Sequence, residues 1–277
     1  MYVSEIKRCF QNSILNFYVS NGIKWKFTDT LDFHLLLIDY FEILRKHIVP
    51  RKRNIYISKE LKQKINSPEY SAWETRFYKI KEKFKNGEDM NSFLSKKADE
   101  NGFKDRLLTC WKMYHLHFFP EKKRGDMLLF AIITDDNVYM VDILPHSKEY
   151  VFSTFNLLNI AHSNWKEIFE QYRLRGVVEM SVIIKEDKEI NEFRRGGICT
   201  AMQLGNDIYS LDTMSSDGHN AMDVMYANHI CNKLHEYEHK GIFKNCKIYD
   251  FSLTYIMNPC FVLTYYDAKG KLDVWSI

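Results

Sequence analysis

The stretch 114–146, YHLHFFPEKKRGDMLLFAIITDDNVYMVDILPH, decides how this chain is read. Three apolar, aromatic and β-branched runs (114–119, 127–134 and 138–144) are separated by the polar segments 121–125 and 135–137. Short runs of this kind, bounded by Gly, Asp and Asn, predict strands. The Asp135-Asp136-Asn137 break predicts a tight hairpin between the last two. The expected product is a three-stranded antiparallel meander that ends at Pro145-His146.

On the N-terminal side the patterning is helical. Ile6, Phe10, Ile14 and Phe17 approach a 3.6-residue period over 3–18, and Asn21-Gly22 marks a turn. The segment 29–47 predicts a helix with Leu31, Leu35, Ile38, Phe41 and Leu44 on one side and Thr28 or Thr30 as its N-cap. Further helices are expected at 58–65, capped by Ser58, at 71–85, stopped by Asn86-Gly87, and at 90–99, with a further helical turn at 105–111. On the C-terminal side the expectation is helices at 150–162 and 164–173, and strands at 176–185 and 198–211. The longest helix, 220–239, carries Met222, Met225, Ala227, Ile230 and Leu234, and strands follow near 247–257, 260–266 and 272–276. Helices segregated from antiparallel strands give an α+β fold. It is expected to run as a mainly helical basic region (1–110), a β meander plus helix (111–175) holding the candidate active region, and a mixed αβ region (176–277). One continuous domain remains open.

The 277 residues are 45% hydrophobic, enough for a sizeable core, and 11 Gly with 5 Pro exclude a low-complexity chain. The net charge of +3 is unevenly spread. Residues 1–125 carry 25 Lys+Arg against 15 Asp+Glu, and the remainder 14 against 21. A basic half suits a nucleic-acid-facing surface, although lysines on solvated helix faces account for the count equally well. Glu5, Lys7 and Arg8 interrupt any secretory signal, and the apolar run 33–44 is too short and too charged to span a bilayer. A soluble, cytoplasmic protein with no membrane partner is expected. The six cysteines (Cys9, Cys110, Cys199, Cys231, Cys246 and Cys260) form no CxxC pair and read as reduced, mostly buried thiols. Dinucleotide, Walker, GxSxG and kinase signatures are absent.

Residues two apart on a strand share a face, so His115 and His117 lie together. Arg124 follows Lys122-Lys123, and His146 closes the meander. His146 is expected near His115, and Arg124 nearer His117. Metal-free RNA cleavage needs a base for the 2′-hydroxyl, an acid for the leaving oxygen and cations for the phosphorane-like transition state. Histidines titrate near neutrality, and Arg and Lys stabilise phosphate charge. A His-x-His pair with a third His, or with Asp142 or Asp126, is also a first-row metal arrangement. Structural or interface histidines are the plain alternative.

The same stretch resembles the core of the RelE-like toxin ribonucleases, over residues 107–146 and on its strand–hairpin pattern. By that resemblance Arg124 matches the arginine that opens the hairpin and His146 the basic residue after it. The implied activity is a toxin-like RNA endonuclease of a bacterial defence or toxin–antitoxin system. Joined to the residue reading above, His115, His117, Arg124 and His146 would be its catalytic residues, the paired His115 and His117 being a departure from that family. Arg51, Lys52, Arg53, Lys122 and Lys123 would contact RNA, and an inhibitory protein or RNA partner would restrain it. No cofactor or metal is required in this reading, and the oligomeric state is left open. A non-catalytic protein- or nucleic-acid-binding assembly protein and a metal-dependent hydrolase are the alternatives. Elsewhere, 215–219 (SSDGH) reads as turn and capping chemistry or an anion site, and 194–197 (RRGG) as a cationic turn. His235 and His239, spaced i,i+4, could chelate or could simply complement a helix C-terminus.

Overall fold

The computed structural model describes residues 2–25, 32–120, 125–177, 183–240, 247–256, 258–266 and 272–276. In chain order the helices are α1 (Tyr2–Ser20), α2 (Phe33–Lys46), α3 (Lys59–Ile65), α4 (Ser71–Asn86), α5 (Arg106–Trp111), α6 (Phe155–Asn164), α7 (Asp187–Arg195) and α8 (Ala221–His239). The strands are β1 (Asn54–Ile57), β2 (Met113–His117), β3 (Met127–Ile133), β4 (Asn137–Pro145), β5 (Met202–Leu204), β6 (Asp207–Tyr209), β7 (Lys247–Ile256), β8 (Asn258–Tyr266) and β9 (Leu272–Ser276). The fold is α+β. No described helix is long and apolar enough to cross a membrane.

The chain divides into two compact units, each built from separated segments. One combines Met1–Leu44, Asp99–Phe103 and Ala221–Ile277, the other Arg45–Ala98 and Lys104–Asn220. This differs from the consecutive regions 1–110, 111–175 and 176–277 expected from composition. Apolar stripes far apart in sequence choose each other in space, which no local pattern reveals.

In the first unit, Phe10, Ile14 and Tyr18 of α1 are fully buried at i, i+4 and i+8. They share a core with Leu36, Leu37, Tyr40 and Phe41 of α2 and with Ala227, Ile230 and Leu234 of α8. The segment 99–103 joins through Lys24, whose N–H donates to the Asp99 carbonyl (2.8 Å) and whose carbonyl accepts from Asn101 (2.9 Å). Asp32 caps α2, accepting from the N–H groups of His34 (2.8 Å) and Leu35 (3.3 Å). Thr28 and Thr30, expected in that role, lie outside the described residues. Leu35 is 49% exposed, so the buried face of α2 is rotated from the expected stripe. The run FHLLLIDYFEIL holds more apolar side chains than one face can take, and the partners select among them. Strands β7, β8 and β9 form an antiparallel sheet in that order.

In the second unit the meander forms as expected: β2 pairs antiparallel with β3, and β3 with β4. A fourth strand, β1, runs parallel to β4 and gives the order β1-β4-β3-β2. Its four residues, NIYI, are too few to carry a periodic signal. Both faces of the sheet are covered. Met113, Leu128, Phe130, Ile132 and Val141 pack with α6 and the β5–β6 hairpin. Leu116, Leu129, Ala131, Met140 and Ile143 pack with α3 and α4. That is why β3 reads as an unbroken apolar run, since a strand covered on both faces does not alternate.

Ser58 joins α3 to the sheet. Its hydroxyl accepts from the Leu61 N–H (2.9 Å) as N-cap and donates to the Val141 carbonyl (2.6 Å). Helix α4 buries Phe77, Ile80 and Phe84 and ends at Gly87, which is left-handed (φ 78°). A Cβ there would lie 2.7 Å from the Lys52 nitrogen, so the position requires glycine.

Several local expectations change. At 90–99 two 3₁₀ turns, Asn91–Phe93 and Lys96–Asp99, replace a helix. The Asn91 amide holds both polar groups of Ile48, accepting at 2.7 Å and donating at 3.1 Å. Such side-chain bonding competes with helix continuation. The segment 164–173 is a 3₁₀ helix, Lys166–Tyr172. The strand expected at 176–185 is not formed at 176–177 or 183–185, and 178–182 lie outside the described residues. The strand expected at 198–211 is the short β5–β6 hairpin, turning at Gly205 (φ 61°). Helix α7 (Asp187–Arg195) was not expected, and it takes in the first two residues of the expected 194–197 turn.

Replacing Ser58 by alanine removes a cap and leaves the Val141 carbonyl without its donor. The expected loss is about 1–2 kcal/mol of stability, read by chemical denaturation.

Candidate functional site

The site grows from the junction of α5 and β2. Asp105 caps α5 by accepting from the Leu108 N–H (3.0 Å). The helix stops at Lys112, which is left-handed (φ 57°), and β2 starts at the next residue. This short connection puts the cap carboxylate beside the strand, with Asp105 Oδ2 3.9 Å from His115 Nδ1. His115 lies opposite Phe130, and His117 opposite Leu128. They share a face, as expected, with ring centroids 6.2 Å apart.

His146 follows β4, and its N–H donates to the Asp126 carbonyl (2.7 Å). Its ring lies 6.2 Å from that of His117, with 26° between the planes. The expectation that His146 lies towards the start of β2 is therefore corrected. In an up–down–up meander the first and third strands run the same way. The end of β4 therefore meets the end of β2, and His117 is the neighbour. Phe152, 37% exposed, completes the group at 4.8 Å from His115 and 6.1 Å from His146, centroid to centroid.

Exposure separates the three imidazoles. His117 is buried and His146 is exposed, while the His115 side chain is 12% exposed. Burial lowers the His115 pKa below its ordinary value. Asp105 pulls it up, and His146 pushes it further down. His115 is thus a neutral ring at pH 7 and a weaker base than a free imidazole.

Arg194 supports the group from behind. It is buried, donates to the Phe152 carbonyl (2.7 Å), and lies 3.7 Å from the centroid of Trp111. Burial lowers its pKa, against the pull of Cys110, Asp212 and Asp105. The Cys110 thiol is pushed up to about 12 by burial, which makes it a poor nucleophile. The segment 194–197 is therefore the end of α7, with its first arginine inside the core. Asp105, Phe152 and Arg194 were not identified as site residues from sequence. Asp105 alone left a signal, as an acidic residue at a helix start.

The remaining candidates divide. Arg53 is buried, and its guanidinium donates to the carbonyls of Thr134 (2.7 Å) and Arg51 (3.4 Å). That ties β1 to the β3–β4 hairpin and removes Arg53 from an RNA-facing role. Arg51 pairs with Asp135 at 3.1 Å, and Lys52 is exposed. Lys122, Lys123 and Arg124 lie outside the described residues. Asp142, a candidate third metal ligand, is buried and held by the Lys64 ammonium at 2.7 and 2.8 Å. The 215–219 segment is a turn. Ser215 donates its hydroxyl to Asp217 (2.5 Å), and Asp217 accepts from the His219 N–H (3.2 Å). Among the cysteines whose side chains are described, Cys110 is buried, Cys231 half-buried and Cys199 exposed.

Compared with protein-family models, with curated proteins and with solved structures, the chain matches none.

Two outcomes follow. Because the folded His115 resists protonation, the unfolded chain binds a proton that the folded chain refuses. The contribution is full above about pH 6.5 and is lost as pH falls through the lower folded value. His162, also lowered by burial, adds a slope of the same sign. His115→Phe should therefore make the melting temperature depend less steeply on pH between 7 and 5 than in wild type. Arg194→Met leaves the Phe152 carbonyl without its charged donor and takes a buried cation from the face of Trp111. It should cost about 3 kcal/mol in urea denaturation.

Proposed function

We propose that the protein is a toxin-like RNA endonuclease in which His146 meets the substrate and His117 and His115 stand behind it. The observation that carries this reading is the convergence of three imidazoles at one end of the meander, one exposed and two within the protein. Proton transfer in RNA cleavage needs groups that change charge near neutrality, and two or more in one place can act as acid and base. The strand–hairpin on which the RelE-like resemblance rests is the frame that holds them. In this reading Arg124 stabilises phosphate charge, and Lys122, Lys123, Arg51 and Lys52 contact the RNA backbone. A restraining partner and a role in bacterial defence belong to the same proposal.

A second reading draws on a specific contact. Phe152, partly exposed, lies against both His115 and His146, as at a protein-binding surface. There the histidines would be structural, and the chain a binding or assembly protein.

Purified protein incubated with single-stranded RNA and DNA, with and without EDTA, separates these. Cleavage of RNA alone, insensitive to EDTA, is expected. His146→Ala or His117→Ala should slow it by about 10²-fold or more, the range of general acid–base catalysis, and Arg124→Ala should also slow it. RNA left intact by wild type, or cut equally fast by all three variants, would sink the catalytic assignment in favour of the binding protein. Cleavage abolished by EDTA would instead favour a metal-dependent hydrolase.

A further inference from the structure

The last turns of α8 carry an arrangement that the ribonuclease reading does not use. His235 and His239 are spaced i,i+4, so their rings rise from one side of the helix. Their Nε2 atoms lie 3.1 Å apart, with ring centroids 4.5 Å apart. The His235 side chain is 70% exposed, which leaves room for further ligands. The other nitrogen of that ring, Nδ1, lies 3.9 Å from Glu238 Oε2. Glu236, between the two histidines in sequence, is held by Lys233 (3.2 Å) and Lys240 (2.5 Å).

Two imidazole nitrogens at that separation can share one proton or one cation. With metal–nitrogen bonds of about 2.0–2.1 Å, the observed gap corresponds to an angle of roughly 100° at the metal. That value falls between the right angle of square-planar or octahedral sites and the tetrahedral angle. Imidazole donors suit copper, nickel and zinc, whereas calcium and magnesium prefer oxygen. A carboxylate behind a ligating histidine is the usual outer partner, and it fixes the ring and raises its basicity. Glu238, at 3.9 Å from Nδ1, must turn towards the ring to take that role.

We propose that His235 and His239 form a bidentate surface site for a late first-row divalent cation, with Glu238 orienting His235 and water filling the open positions. The cation would clamp the C-terminal turn of α8. The proposal is independent of the ribonuclease reading.

The test is titration of the untagged full chain with CuCl2, NiCl2 and ZnCl2, followed by calorimetry and by metal analysis after dialysis. His229, exposed on the same helix, supplies the control. One equivalent is expected, bound more tightly as Cu²⁺ than as Ni²⁺. His235→Gln and His239→Gln should each weaken that equivalent by more than about tenfold, and Glu238→Gln by about tenfold. His229→Gln should leave it unchanged, and circular dichroism should show the helix intact in every variant. No binding up to millimolar metal overturns the proposal. So does an equivalent that survives both His235→Gln and His239→Gln, which would place the cation elsewhere.

Discussion

Burial of both faces of the four-stranded sheet is the constraint on which the Arg45–Ala98 and Lys104–Asn220 unit depends. Strand β3 contributes Leu128, Phe130 and Ile132 to one core and Leu129 and Ala131 to the other. A central strand covered twice cannot slip in register by one residue, because every side chain would change core. The neighbours inherit that fixity. His115 and His117 sit opposite Phe130 and Leu128 because β3 cannot move.

The doubly covered sheet also explains the low exposure of the site. A histidine on a strand facing a core gives up water, and an imidazole that loses water favours its neutral form. His115 meets that condition with one carboxylate, Asp105, at the edge of reach. His146 stands past the last paired residue of β4, where the sheet ends, and is exposed. A single arrangement therefore sets buried imidazoles beside an exposed one.

Buried charge ties the cores together. Lys64 meets Asp142, Arg53 caps the turn carbonyl of Thr134, and Arg194 holds the carbonyl of Phe152 against the face of Trp111. Each joins segments far apart in sequence. Since both partners lose hydration, such contacts add little net stability, while removal of one partner alone is costly. Arg194 shows the point most directly. It connects α7 to the residue that packs against two of the three histidines, so the position of Phe152 depends on a helix 42 residues further along the chain.

The sequence by itself determined the elements whose signal is local. The meander was legible in its apolar runs and in the Asp135-Asp136-Asn137 break, the α3 cap in Ser58, and the end of α4 in Asn86-Gly87. The shared face of His115 and His117 followed from the two-residue period of a strand. Only the tertiary structure decided which apolar stripe of α2 is buried, that NIYI is a parallel edge strand, and that the N- and C-terminal segments fold as one unit. It also decided that Arg53 and Arg194 are interior while Lys52 faces water, although all three belong to basic runs that read alike in sequence. The physical reason is common to these cases. A side chain's environment is set by partners distant in sequence, and charge pattern and periodicity carry no record of which partners arrive.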